Sequence, residues 1–534
     1  MKMKLDLRKH LTALVFLLLF ITYFSTPSKA QGIFQTVSTG TDDYIFSTKQ
    51  AADGSYISLG YTSGVGFGSF DFLLINSDQD GNYLWSMVYG GSNTDLGYAV
   101  EATSDGGFIL AGATQSYGAG GADVLLVKVD QTGQVSWAKT FGGSGWDEGF
   151  DVAVTEDGGF IVAGRSNSFG AGDGDIYAVK TTASGELSWT KTYGGSGNED
   201  AQQVVQTADG GYIFVGHTVS FGAGNSDIYL VKTNASGDIE WTKTMGGANF
   251  ENGNTIALTL DGGYIVSGNT NSFGQGESDI YLAKLDNLGN MLWSKTYGGG
   301  KTENSYYLVQ EAGGEYVMAG LTNSFGGGGV DAFLIKVNAS GDVLWSKTYG
   351  GGMDDFCNAL HLSAEGRYIF AGNSRSFDMQ NRAYILSADE QGNSGGCNQF
   401  TPSITAVDVS FQVGSGGSTA SGGTSQSPTI MADQLNTQDS ILCLITQVNE
   451  SFEPTNYSIY PNPISHLGVL TFDNPNQRQH QLLLYDLHGK IVWSKDDITT
   501  DRIPIYKGSL SSGLYLFVLL SDGAIKTKGK IVLE

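Results

Sequence analysis

Short apolar runs alternate with glycine-rich polar turns along most of this chain. Between 201 and 245, "AQQVVQTA" gives way at "DGG" to "YIFVGHTVS", "FGAGNSD" leads to "IYLVKTN", and "ASGD" leads to "IEWTKTM". Runs of this length, rich in Val, Ile, Tyr and Thr and bounded by Gly and Asp, predict strands. The glycines and aspartates supply the positive-φ positions that tight turns need. The second run is apolar almost throughout, as expected for a strand buried on both faces. Each unit therefore predicts four strands.

The unit recurs at a step of 52 residues. Trp85, Trp137, Trp189, Trp241, Trp293 and Trp345 keep that spacing. So do Gly60, Gly112, Gly164, Gly216, Gly268, Gly320 and Gly372. Seven copies follow one another without insertion or deletion. One four-stranded sheet with two apolar faces needs a neighbour on each side. A closed ring meets that need, so the expected fold is all-β, a seven-bladed β-propeller spanning residues 31–396. One step beyond Trp345 the chain has Cys397, and one step before Trp85 it has Ile33 in "GIFQTVST". The N-terminal segment is thus expected to supply the missing fourth strand of the last blade and close the ring.

Composition adds limits. The chain has 77 glycines, 8 prolines and 40% hydrophobic residues, enough for packed β cores. Its net charge of −25 argues against nucleic acid as a partner, since phosphate binding needs a basic surface. Lys2, Lys4, Arg8 and Lys9 precede the apolar "LTALVFLLLFITYF", and "STPSKA" follows. Residues 1–30 read as a secretory signal peptide. No later run is long enough to cross a bilayer, so no membrane span is expected in the mature chain. After Cys397, "VGSGGSTASGGTSQSPT" marks 397–450 as a Gly/Ser/Thr-rich linker with short strands. Of three cysteines, Cys397 and Cys443 flank this loop and are expected to form a disulfide after export, leaving Cys357 free.

Two resemblances carry family information. "VDQTGQVSW" at 129–137 and "LDNLGNMLW" at 285–293 resemble the tryptophan-docking turn of quinoprotein-type propeller repeats. Each tryptophan is then expected to pack between blades; no residues match the quinone site of those enzymes. Residues 451–534 resemble the type A C-terminal sorting domain of the type IX secretion system of Bacteroidota. Tyr460, Pro461, Asn462 and Pro463 match its opening motif. Tyr485, Asp486, Gly489 and Lys490 match the central hairpin, and Gly513, Leu514 and Tyr515 the Gly-x-Tyr strand. The resemblance implies a small Ig-like β-sandwich, recognition by the type IX machinery, and passage through the periplasm to the cell surface or beyond.

Chemistry is sparse by comparison. "GVGFGS" and "GAGGAD" look like phosphate loops, but strands rather than helices follow them. "DQDGN" at 78–82 lacks the distal glutamate of a calcium loop. His217 and His361 stand alone on strands, and no His pair has metal-ligand spacing. Two acid series recur in register. Asp43, Asp95, Asp147, Glu199, Glu251, Glu303 and Asp355 precede the first strands, and Asp71, Asp123, Asp175, Asp227, Asp279 and Asp331 follow the glycine loops, with Ala383 breaking the second series. The preferred reading is that they accept loop N–H groups; the sharper one makes the first series a ligand platform, with calcium as the secondary expectation and otherwise no metal or cofactor. Arg375 and Arg382, in the divergent "NSRSFDMQNRA" of blade seven, join that platform. The expected function is a non-enzymatic binding or adhesion module with a glycan or surface-protein ligand. The alternative is a polysaccharide-active hydrolase or lyase using carboxylates of one face.

Overall fold

The computed structural model describes residues 33–533 with short interruptions, the longest at 445–456 and 486–490. The expected signal peptide lies outside the described residues. Every regular element among those described is a β-strand. They fall into two compact units, Lys29–Thr446 and Gln447–Glu534.

The larger unit is a propeller-like repeat of antiparallel sheets. Sheet one joins Asp43–Gln50, Tyr56–Ser63, Phe70–Ser77 and Tyr83–Gly90 in chain order, and the next five sheets repeat this at the 52-residue step. The second and third strands are buried along their whole length in several sheets, as at Phe108–Thr114 and Asp123–Val129. Their apolar faces meet the neighbouring sheet. Leu59, Phe72 and Leu74 of sheet one share a core with Leu110, Leu125 and Val127 of sheet two. The cycle closes: Ile45, Leu73 and Ile75 of sheet one pack with Ala359, Ile369 and Ala371 of the last sheet.

That last sheet draws on distant parts of the chain. Asp355–Leu362, Tyr368–Ser374 and Arg382–Ala388 are followed by the N-terminal strand Ile33–Ser38, with Phe34 opposite Leu386 and Val37 opposite Ala383. The expected closure by the N-terminal segment is therefore what the chain does. A sheet left without that strand would expose an unpaired edge and the apolar flank beneath it.

The tryptophans dock across sheets. Trp137 lies 5.9 Å from Phe160 of the following sheet, and Trp189 stands at the same distance from Tyr212. A Cβ on Gly185 would come within 2.7 Å of Trp137, and one on Gly237 within 2.9 Å of Trp189, so the glycine of the turn leading into each fourth strand is the floor on which the indole of the preceding sheet rests. The hydroxyls of Tyr89 and Tyr193 donate to the carbonyls of Gly133 and Gly237 beside these contacts, at 2.7 and 2.8 Å.

Within the Gly/Ser/Thr-rich segment, short strands between 399 and 444 add a fifth strand to each of the seven sheets found among the described residues, running around the outside of the ring. Gln399–Phe400 pairs with sheet six and Val407–Asp408 with sheet five. Gln412–Gly414, Ser418–Ala420, Thr424–Gln426 and Met431–Gln434 pair with sheets four, three, two and one. Gln438–Leu444 pairs with Ile33–Ser38 in sheet seven. Composition did not show where these short strands pair, because pairing uses backbone groups, which Gly, Ser and Thr carry as well as any residue.

The smaller unit holds two sheets. Tyr457–Tyr460, Leu467–Phe472 and Arg502–Tyr506 form one; Ile491–Ile498, His480–Tyr485, Gly513–Ser521 and Ala524–Leu533 form the other. Leu470, Ile503 and Ile505 of the first meet Leu482, Leu484, Phe517 and Leu519 of the second in one core.

Candidate functional site

A backbone irregularity recurs at one place in all seven sheets. In sheet one, Ile45 stands opposite Gly60 and Ser47 opposite Leu59, so Phe46 has no partner and forms a β-bulge. The same interruption falls at Tyr98, Phe150, Gln202, Asn254, Tyr306 and Asn358. A bulge bends its strand and redirects the extra side chain. The glycine that set the sequence ruler makes it possible. A Cβ on Gly60 would lie 1.8 Å from the Tyr44 carbonyl oxygen, and one on Gly216 would lie 1.9 Å from that of Asp200. Only a residue without a side chain lets the bulging strand come so close.

The seven bulged residues line one cavity of about 400 Å³. A single cavity touched by the first strand of every sheet lies on the ring axis. It is a chamber with two kinds of wall. Phe46, Tyr98 and Phe150, from three consecutive sheets, stand edge to face at centroid distances of 5.8 and 5.5 Å. Amides enter from Gln202, Asn254 and Asn358, with Tyr306 between the last two.

Asp151 and Gln203 belong both to this chamber and to a second cavity of about 680 Å³, lined further along the same strands by Lys49, Glu101 and Gln206. A set of charged and polar groups stands at this junction. Lys49 pairs with Glu101 at 2.5 Å and lies 5.5 Å from the ring centre of Tyr307. Burial alone would lower the Lys49 ammonium; Glu101 and Tyr307 outweigh it and hold the group well above its usual range. Burial pushes the Asp151 carboxyl up to about 7, although the Val204 N–H donates to it at 3.0 Å and Lys49 is near. Burial, with the Lys49 charge, lowers His361 to about 4. Gln203 ties adjacent sheets by accepting from Thr255 Oγ1 and the Ile256 N–H.

At the opposite end of the chamber, sheets three and four carry acid–base pairs. His217 Nδ1 stands 2.8 Å from Asp200 Oδ1, and Gln202 Nε2 donates to Asp200 Oδ2 at 3.0 Å. Arg165 faces Glu148 at 3.8 Å. Burial alone would lower His217; its bond to Asp200 and the surrounding carboxylates raise it instead. Burial raises Glu148, Arg165 offsets part of that, and the nearby Asp200 charge adds to it. The sequence showed His217 only as a lone histidine on a strand.

The seven-acid series does not line the chamber. All seven side chains are buried in their own sheets and engaged by local donors. Glu251 accepts from the Gly247 N–H at 2.7 Å, Thr270 Oγ1 at 2.8 Å and the Ser272 N–H at 3.1 Å. Glu199 and Glu303 repeat this pattern. Asp95, Asp147 and Asp355 accept from glycine N–H groups and serine hydroxyls. Asp43 takes both donors of Thr39. The second series accepts two loop N–H groups per residue, as Asp71 does from Phe67 and Gly68. Each such Asp sits across a glycine from the acid of the next sheet: a Cβ on Gly90 would be 1.9 Å from Asp71 Oδ1 and 2.9 Å from Asp95 Oδ2. Burial, together with the Asp355 and Asp354 charges, raises Asp331 to about 6 against the loop N–H groups that lower it. Among the described residues no group of three His, Cys, Asp or Glu side chains is arranged to hold a metal.

The described part of the divergent loop in the last sheet serves the closing seam. Asn381 accepts from the Asp43 N–H at 3.1 Å, donates its own N–H to Asp42 at 2.8 Å, and donates from Nδ2 to the Tyr44 hydroxyl at 2.9 Å. Burial raises the Asp43 carboxyl, and Arg382, beside the place where the other seams put a second carboxylate, offsets a small part of that; burial and Asp42 raise Tyr44, with Arg375 opposing them weakly. Cys357 is a buried free thiol. Cys397 lies outside the described residues, and with it the expected disulfide to Cys443. In the smaller unit Tyr460 is exposed, and the buried Tyr515 donates to the Ser511 carbonyl at 2.8 Å. Pro463 and Gly513 are on its described surface; Pro461, Asn462, Gly489 and Lys490 fall outside the described residues.

Comparison with known proteins separates the two units. Residues 458–534 match the secretion system C-terminal sorting domain, so the resemblance read from Tyr460 to Tyr515 holds. A sorting domain of this kind implies export to the cell surface or beyond. No helix among the described residues is long and apolar enough to cross a membrane. The regulatory protein FlaEY of Caulobacter vibrioides is 27% identical over 138 residues, 23% of this chain and 14% of that protein, so the chain matches only a small part of its length. Among solved structures, puromycin hydrolase aligns at a TM-score of 0.37 and 13% identity, over 62% of this chain and 50% of its own. The extracellular domain of a protein assigned as a hybrid two-component system of B. thetaiotaomicron aligns at 0.28 and 9%, over 92% and 68%.

Proposed function

We propose that this protein is a seven-bladed β-propeller acting as a non-enzymatic binding or adhesion module. Type IX secretion delivers it to the cell surface or medium through an Ig-like sorting domain, as in Bacteroidota. One observation carries the binding reading. The bulge and its glycine are held constant in every sheet, while the residue the bulge presents to the axis changes from sheet to sheet. A scaffold that fixes aim and varies identity is suited to recognition. The ligand is a glycan or a surface protein, bound through the axial chamber. The test is a glycan and surface-protein array probed with the full chain and its Phe150→Ala variant. Binding that the variant loses supports the reading; binding equal in both places the site elsewhere.

The alternative, a polysaccharide-active hydrolase or lyase, has its own support in the pairs His217–Asp200 and Arg165–Glu148 beside the chamber. A histidine raised by a carboxylate can move protons near neutral pH. Release of reducing ends or unsaturated products from polysaccharides, abolished by His217→Ala, would favour the enzyme.

A further inference from the structure

The binding reading leaves the ligand's chemistry open, and the chamber's two walls narrow it. The aromatic wall offers ring edges and faces from Phe46, Tyr98 and Phe150, apolar surface that rewards an apolar partner face. The amide wall offers acceptors. Asn254 Nδ2 donates to the Ser305 carbonyl at 2.7 Å, Asn358 Nδ2 to the Ile45 carbonyl at 2.9 Å, and Gln202 Nε2 to the Asp200 carboxylate at 3.0 Å. Each of these partners only accepts, so the amide nitrogen must be the group that faces it. Three amide oxygens are thereby left for an occupant that donates.

Charge narrows the choice again. Glu101 is matched by Lys49, Asp200 by His217 and Glu148 by Arg165. Among the described residues the chamber's own lining holds one carboxylate, Asp151; it accepts from the Val204 N–H at 3.0 Å and burial disfavours its charged form, so the chamber is a poor site for a cation. An isolated anion would meet an aromatic wall and three oxygen acceptors. What remains is a neutral ring with one apolar face and an edge of hydroxyl donors.

Resting on the binding reading, we infer that the axial chamber takes one neutral pyranose, its C–H face against Phe46, Tyr98 and Phe150 and its hydroxyls toward Gln202, Asn254 and Asn358. A cavity of about 400 Å³ is large enough for such a ring. Free sugar and the end residue of a glycan present the same chemistry, so both sources must be probed.

The experiment is calorimetric titration of the full chain with neutral methyl hexopyranosides, choline and methyl glucuronide, beside an array of neutral oligosaccharides. Phe150→Ala and Asn254→Ala, which alter different walls, are run in parallel, with a melting curve for each. The expected result is binding of a neutral glycoside, weakened about tenfold or more by each variant whose melting is unchanged. Stronger binding to oligosaccharides ending in that sugar assigns the glycan as source; equal affinity assigns the free sugar. Binding of choline or glucuronide alone overturns the neutral-sugar inference. So does a neutral glycoside whose affinity both variants leave intact. A protein captured on the array in place of any sugar overturns the inference while keeping the binding module. Polysaccharide turnover lost in His217→Ala overturns the binding reading itself.

Discussion

At the inner edge of each sheet the backbone repeats and the side chain changes; at the outer edge the side chains repeat and the covering segment does not. The inner strand carries the same bulge seven times, presenting Phe, Tyr, Phe, Gln, Asn, Tyr and Asn in turn. The outer strand carries the repeating tryptophan, and its free edge is met by residues 399–444, which have no 52-residue repeat of their own. Specificity needs different side chains at equivalent places. Covering an edge needs only N–H and C=O groups, and any sequence that stays extended supplies them. The inner edge is therefore intolerant of backbone change and the outer belt tolerant of side-chain change.

The largest expected effect tests where the two edges meet. Ile33–Ser38 lies between Arg382–Ala388 and the last belt strand, so it serves ring and belt together. Deleting residues 33–39 should replace one cooperative melting transition by a broad one starting at least about 10 °C lower, since several kcal/mol of edge pairing and burial are lost. Unchanged cooperative melting would show that the ring closes without it.

Next in size is the inner edge alone. Gly216→Ala puts a methyl group 1.9 Å from the Asp200 carbonyl, so the bulge at Gln202 must move. A cost of about 3 kcal/mol or more is expected, read by denaturant unfolding. Gly210, in an open turn with nothing near its Cβ position but a φ of +81°, should cost about 1 kcal/mol or less as Gly210→Asn.

A smaller effect is set by pH. Asp151 titrates near 7 in the folded chain, above the ordinary 3.8. The folded state thus binds this proton more tightly than the unfolded state. The carboxyl costs stability at and above pH 7, and that cost fades as pH falls toward 4. Asp151 is only half-buried and borders two cavities, which moderates the cost of its charge, so Asp151→Asn should raise the melting temperature by ~2–4 °C at pH 8, with the gain vanishing near pH 4. An equal gain at both pH values would assign the effect to packing.

The smallest effect belongs to the belt. Single alanine replacements at Thr419 or Ser425 should change stability by no more than about 0.5 kcal/mol, because these residues pair through the backbone with Tyr193 and Phe141. A loss of about 2 kcal/mol at either would mean that belt side chains pack as the inner ones do, and the contrast between edges would dissolve.

Much of the fold was legible because its determinants are local and repeated seven times. The strands followed from alternation of apolar runs and glycine turns, the ring from two apolar faces per sheet, the closure from the tryptophan missing after Trp345, and the sorting domain from motifs such as Tyr460 and Gly513-Leu514-Tyr515. The acids drew attention because they recur, yet recurrence marked a structural duty: Glu251 and its equivalents hold loop N–H groups. The chamber was hidden for the opposite reason. Phe46, Gln202 and Asn358 look like unrelated substitutions in seven similar strands, and comparing the copies for the position that varies beside a constant glycine would have found them. Which way a bulged side chain points, and that Lys49 meets Glu101 of the next sheet and Tyr307 two sheets away, depends on bringing residues as far apart as Phe46 and Asn358 to one axis. The belt was equally out of reach, since its strands are fixed by backbone hydrogen bonds to edges that exist only once the ring has formed. Sequence periodicity determined the sheets and their number; ring closure decided what faces the axis and what wraps the rim.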